Sequence, residues 1–466
     1  PHCALGCNIS PAERYGSLRR IVNRYNSEVN GYFLCDRGRF GYEFANSPQR
    51  ILKPLLNGTE VPAEAAADAL ASFVSAGGAI GIGSPRASLE ANFALRRMVG
   101  AERFFSGMEE RQERVVAAML EILRAGPART PSLAEIEGAD AALVLGEDLT
   151  NTAPRMALSL RLMVRQEEFR IAAKLRIPSW LDNSVREASQ GARSPLFVAT
   201  PAATRLDDVA ARLFRGAPEE IARLGYGVAR ALDSSAPDVP ELSESTAFLA
   251  GFIAEALREA ERPVIIAGPS LGSEAVVRAA AAVAHALAAA GKAPLLAFTA
   301  PECNTLGLAM MSAPPLTKAF AAGAATVIVL ENDLYRRAPA PAVDAFLGAA
   351  KHVVALDYLN NGTTRKAELV LPAGSFAESD GTYISSEGRA QRYFQVMPPA
   401  GELKESWRWL GIETLDQAIE ELIDAMPHLA PIRDAAPEAD YRIAQAKIAR
   451  APFRYSGRTA ETANIS

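Results

Sequence analysis

Cysteine is scarce, at four in 466 residues. So few cannot form a disulfide framework. Positive charge is not in excess either. Lysine and arginine number 49 against 54 acidic residues, a net charge of −5 and a pI near 5.7, which argues against a nucleic-acid binder. Long apolar runs are missing. The most apolar stretch, 275–300, is broken by Arg278, His285 and Lys292, so no segment reads as a membrane span. No Walker motif occurs, and the turns that follow apolar strands lack Gly-x-Gly-x-x-Gly. Histidine is rare too. His285 and His352 have no matched partner constellation and read as structural. Cys303 has no nearby histidine to serve as its base.

What is present begins at the first residues. Three of the four cysteines, Cys3, Cys7 and Cys35, lie in the first 35 positions, spaced Cys-x3-Cys and then 27 residues to the third. Gathered thiolates suit a soft metal, and iron–sulfur clusters are held by cysteine sulfur. The residues alone leave three readings open: an iron–sulfur centre, zinc with His2 as an extra ligand, or unrelated buried thiols. Gly6 and Gly38 let backbone amides approach sulfur, and Arg37 and Arg39 set positive charge beside an anionic centre. A 4Fe–4S cluster takes four ligands. A cysteine just before Pro1 would complete Cys-x2-Cys-x3-Cys-x27-Cys, and the chain is read as a segment of a longer polypeptide.

Hydrophobic residues make up 49% and charged residues 22%, values of an ordinary globular protein. The length calls for two to four domains. Clustered thiols in a cysteine-poor chain point to a reducing compartment, hence the cytoplasm.

Along the chain, Leu18–Val22 and Tyr32–Leu34 read as strands, the second delivering Cys35 at a turn. From Pro62 on, helix and strand alternate. Ala79–Gly83, Ala141–Gly146, Pro263–Pro269, Thr326–Leu334, His352–Asp357 and Glu368–Pro372 hold short buried-strand runs, with Leu89–Val99 and Val115–Leu123 as helices. This is the pattern of a wound α/β sheet. Phe169–Leu175 and Pro195–Ala199 read as further strands. Gly83 and Gly268, Asp148 and Asp333, and Pro154 and Pro339 each stand 185 residues apart, which suggests two related units. The turns after Gly83 and Gly268 are places where backbone amides hold phosphate in open α/β sheets, or are simply tight turns. Glu378 and Asp380 read as a carboxylate pair or as a solvated turn.

The segments CALGCNISPAERYGSLRRIVNRYN (Cys3–Asn26), YFLCDRGRFGYEF (Tyr32–Phe44) and GTYISSEGR (Gly381–Arg389) resemble the molybdopterin oxidoreductase family. Within it they are most similar to the large iron–sulfur subunits of bacterial respiratory complex I. The resemblance implies an α/β fold as in the formate dehydrogenase/DMSO reductase family: a small β-rich 4Fe–4S domain over 1–60, wound α/β units over 61–245 and 246–450, and a linker, 451–466, to a further domain. It implies a 4Fe–4S cluster on Cys3, Cys7 and Cys35, set off the main electron path, with the fourth cysteine ahead of Pro1. It implies a mainly structural part, without catalytic residues of its own, in an enzyme that passes electrons from NADH to quinone and translocates protons. The partners are then the other peripheral-arm subunits of complex I, with the membrane arm met only indirectly and no nucleic acid. The place is the cytoplasmic side of the inner membrane.

The family's pterin-dependent enzymes are the main alternative, and a non-catalytic α/β binding module is the third reading. Two departures count against a pterin enzyme. The stretch Gly100–Arg111 has no cysteine to ligate molybdenum, and Arg37 stands where those enzymes tend to carry lysine. Arginine keeps the charge but not the shape or titration. No molybdopterin is expected.

Overall fold

The computed structural model describes residues 2–436 and, beyond them, only the strand pair Arg442–Ile443 and Ala446–Lys447. The expected linker 451–466 lies outside the described residues.

The chain opens on short elements. β1 (Ile9–Arg14) and β2 (Ser17–Asn23) make an antiparallel hairpin, turned through Tyr15 and Gly16, both at positive φ. Leu18 and Ile21 pack inward on Tyr42 and Ala45. Tyr32–Leu34 is not a strand. Tyr32 and Phe33 are exposed, and the chain runs directly into the short helix α1 (Asp36–Phe40). Aromatic residues gave it a strand-like look, but no neighbouring strand offers it a ladder. β3 (Leu55–Leu56) and β4 (Thr59–Glu60) follow.

The α/β part follows as α2 (Ala63–Ser75), β5 (Ala79–Ile82), α3 (Leu89–Val99), β6 (Phe104–Phe105), α4 (Glu110–Ala125), α5 (Leu133–Glu137), β7 (Ala141–Leu145), α6 (Leu149–Thr152), α7 (Pro154–Met163) and α8 (Gln166–Lys174). α3 starts on the Ser88 cap, whose hydroxyl accepts from Ala91 N–H. α5 carries a Ser132/Glu135 capping box. α7 has Pro154 in its first turn. α8 covers the stretch expected to be extended. Phe169, Ile171 and Ala173 alternate like a strand, but Glu167 and Glu168 in the first turn and Lys174 in the last complement the helix dipole. Then come β8 (Leu196–Ala199), β9 (Arg212–Phe214), β10 (Pro263–Ala267), β11 (Leu295–Phe298), β12 (Thr326–Leu330), β13 (His352–Asp357), β14 (Leu369–Pro372), and the hairpin β15 (Gly381–Ile384) and β16 (Ala390–Tyr393).

Two main sheets result. One has the order β11-β10-β7-β8-β9, all parallel. The other runs β4-β3-β14-β13-β12-β5-β6, parallel except at β3 and β4. Their central strands are buried along their whole length, as expected of parallel sheets covered on both faces.

The expected division at residue 245 does not hold. β5 lies beside β12, with Ala79 opposite Thr326. β7 lies beside β10, with Ala141 opposite Pro263. The strands related by the 185-residue spacing, β5 with β10 and β7 with β12, are therefore shared out, and of these four each sheet takes one from each half. A short all-apolar run fits equally well between any two buried neighbours, so sequence pattern marks the strands but not their partners.

Candidate metal centre

The cysteine loop is held from three directions. Gly6 sits at φ +71°, and a Cβ there would lie 2.0 Å from Gln391 Oε1. Gln391, on β16, donates to Gly6 O at 2.9 Å and to Asn8 Oδ1 at 3.1 Å. Ser386 N–H donates to Ala4 O at 2.7 Å. Leu5 is buried against one face of the five-stranded sheet, and Cys3 and Cys7 pack on the same cluster. Cys35 caps α1, its sulfur accepting from Gly38 N–H at 3.4 Å.

Between the two cysteine segments lies Asn30, fully buried. Its Oδ1 accepts from Asn8 N–H at 2.8 Å. Its Nδ2 faces Arg24 O at 3.2 Å and Phe33 O at 3.4 Å. One amide thus ties the residue after Cys7 to the residue two before Cys35. Arg155, on α7, then donates to Asn30 O at 3.1 Å. Sequence reading passed over both residues. Four asparagines within residues 8–30, and an arginine beside the apolar stripe of α7, are the signals that were there.

The thiols lie close enough to perturb one another. Burial pushes the Cys7 thiol up to about 12, with Cys3 and Cys35 adding to the rise and Arg155 opposing it. Burial likewise raises Cys3. Among the described residues, no three Cys, His, Asp or Glu side chains converge as they would on a single ion. A cubane makes a different demand, since each cysteine binds its own iron and the sulfurs stand apart around it. Two desolvated thiols on one loop and a third on a neighbouring segment, with an amide donor at Cys35, fit that donor set. Binding would take up the thiolate form that burial otherwise disfavours.

The other candidates are not drawn in. His2 Nε2 meets Gly41 O at 2.5 Å, and its ring stands edge-on to Phe44. Arg37 is exposed and donates to Asn151 O at 2.7 Å. His285 Nδ1 meets Ala281 O in its own helix. His352 stacks on Phe73 and meets Glu368 at 2.8 Å. Cys303 is buried, its thiol pushed up to about 11, near Arg86 O. Glu378 and Asp380 are not a solvated turn. Glu378 is buried on Arg50 at 2.6 Å, and Asp380 accepts from Gln395 N–H at 2.5 Å.

The glycine turns at the strand ends are occupied by side chains. Ser270 N–H and Oγ donate to the buried Glu147 carboxylate at 3.0 and 2.7 Å. Ser84 N–H donates to Asn92 Oδ1 at 2.9 Å. Asn332 donates to both Gly83 O and Gly107 O at 2.9 Å. The Ser84 and Ser270 amides are thus already paired, and at the Gly268 turn the partner is itself a carboxylate.

Residues 1–47 match the molybdopterin oxidoreductase Fe4S4 domain, and 241–411 match the molybdopterin oxidoreductase family. The G subunit of NADH-quinone oxidoreductase from Pseudomonas fluorescens is 48% identical over 486 residues, covering 100% of this chain and 54% of the relative. The Escherichia coli K12 protein of that name is 44% identical over 494 residues, with the same coverage. This chain is a homologue of the NADH-quinone oxidoreductase G subunits. It spans about half the length of the curated relatives it matches. Those relatives are subunits of an oxidoreductase complex. In fold alone, the chain is similar to acetylene hydratase from Pelobacter acetylenicus, with TM-score 0.61, 14% identity, and coverage of 94% of this chain and 69% of that one. It is also similar to the formyltransferase/hydrolase complex of Methylorubrum extorquens, with TM-score 0.54, 18% identity, and coverage of 80% and 99%. No described helix is long and apolar enough to cross a membrane.

Proposed function

We propose that this chain is the iron–sulfur scaffold of a proton-translocating NADH-quinone oxidoreductase, with a 4Fe–4S cluster on Cys3, Cys7 and Cys35 and a fourth cysteine ahead of Pro1. The observation that carries the reading is the packing of Cys3 and Cys7 on one apolar cluster, with Cys35 near enough to raise the Cys7 thiol, inside the segment that matches the Fe4S4 domain. The cluster supplies one-electron redox chemistry when bound. The chain's own residues do the rest. Leu5 and the sheet beneath it keep water from Cys3 and Cys7. Gly38 N–H steadies the Cys35 sulfur, and Gln391 fixes the loop between the first two cysteines. The role is structural support of the peripheral arm, on the cytoplasmic side of the membrane, with the other peripheral-arm subunits as partners. The strand-end turns, filled by Glu147, Asn92 and Asn332, support a scaffold in preference to a pterin enzyme.

The test uses the full-length protein purified without oxygen. Iron near four atoms per cluster-binding segment is expected, together with loss of that iron in Cys35→Ser. Residues 1–466 alone should hold little. Molybdenum or tungsten near one per chain, or iron unaffected by Cys35→Ser, would overturn the reading.

A further inference from the structure

Arg155 is out of place by ordinary rules. It lies in the first turn of α7, whose inward residues Met156, Ala157, Leu160 and Met163 are apolar and buried. Its side chain is only 5% exposed. A buried charge is costly unless it is paired and hydrogen-bonded, and here all three nitrogens of the guanidinium donate. Nε donates to Asn30 O at 3.1 Å, Nη1 to Ser159 Oγ at 2.8 Å, and Nη2 to Glu137. The guanidinium also lies over the Phe33 ring, 5.5 Å from its centroid.

Two of these contacts lead to the cysteines. Asn30 holds Asn8, next to Cys7, and faces Phe33 O. Phe33 is two residues from Cys35. Glu137, the counter-charge, is 27% exposed, so water screens it more than it screens Arg155. Arg37, the cation nearest Cys35 in sequence, is at the surface and directed to Asn151 O.

Resting on the cluster reading above, we infer that Arg155 is the positioning residue of the centre: through Asn30 and Phe33 it fixes both cysteine segments on α7, and its buried charge sets the cluster's reduction potential. A positive charge favours the more negative, reduced cluster, so it holds the potential up. Glu137 opposes it.

The test is a redox titration of the full-length protein, followed by electron paramagnetic resonance. Arg155→Met should lower the potential, and Glu137→Gln should raise it. For each, about a tenfold change in the reduced-to-oxidised ratio at a fixed potential is expected, equal to 59 mV for one electron. Arg155→Lys, which keeps the charge but not the fork, should return the potential toward the starting value while the iron content stays reduced. Shifts of opposite sign in the two charge variants support the assignment. Unmoved potentials in variants that retain iron overturn it. If Arg155→Met does not fold, Glu137→Gln decides by the same criterion. Absence of iron from the unaltered protein would instead defeat the underlying cluster reading.

Discussion

Arg50 and Glu378 form an ion pair at 2.6 Å with side chains 6% and 3% exposed. Arg50 also donates to Ala45 O and Tyr358 O, and Glu378 accepts from Ser375 N–H and Oγ. The pair fastens the N-terminal segment to the segment that follows β14. Arg50→Met leaves a buried carboxylate without its cation and is expected to cost about 3–5 kcal/mol. Arg50→Met combined with Glu378→Leu should recover much of that loss. Equilibrium denaturation of the two variants beside the unaltered protein checks this, and equal losses in the single and double variants would contradict it.

Gly6→Ala is expected to disturb the cysteine loop. The left-handed backbone alone costs an L-residue roughly 1–2 kcal/mol, and the new methyl would strike Gln391. Gly16→Ala, at similar φ but with open space around it, carries only the backbone cost. Iron content after anaerobic purification of the full-length protein should fall for the first and not for the second.

Glu331 gives a dependence on pH. It is half-buried just past β12, accepting from Ser406 Oγ at 2.7 Å, and desolvation pushes its carboxyl up to about 7. The groups around it are Asp357, itself raised by burial to about 6, Arg86, Tyr358, Tyr383, Tyr393 and Cys303. Below about pH 4.5 the carboxyl is protonated folded or unfolded. Between there and pH 7 only the unfolded chain ionises freely, so stability falls as pH rises. Glu331→Gln should flatten that fall and be more stable at pH 8 by on the order of 2–3 kcal/mol. Denaturation midpoints at pH 5 and pH 8 decide it, and a parallel fall in both proteins would rule the carboxyl out.

The shared strands predict how fragments behave. Residues 61–245 alone lack β12 and β10, the neighbours of β5 and β7. Each fragment, cut at 245, is expected to show no cooperative unfolding, while the two expressed together should. Cooperative melting of either half alone would contradict the pairing.

Much of this fold was legible in the chain. β5, β7, β10, β12 and β13 are runs of apolar residues closed by glycine or acid, and α3 begins and ends at Leu89 and Val99 as its pattern suggests. Cys3, Cys7 and Cys35 announced themselves by scarcity. What escaped depends on contacts far apart in sequence. Asn30 and Arg155 are ordinary polar residues until the fold places one against the other. Glu147 looks like a loop acid until Ser270 is brought to it. Residues 169–175 show a local failure, where strand-like alternation lost to acidic and basic residues at the two ends of a helix.

The cysteine loop also has an order of events built into it. Its supports are Arg155 and, on the β15–β16 hairpin, Ser386 and Gln391. A ribosome adding roughly 5–20 residues per second reaches Gln391 about 20–80 s after Cys3. Until then the three thiols belong to an unfixed loop, open to oxidation and to the wrong metal. A centre built here is completed late, after a hairpin nearly 400 residues on has folded back over the cysteine loop.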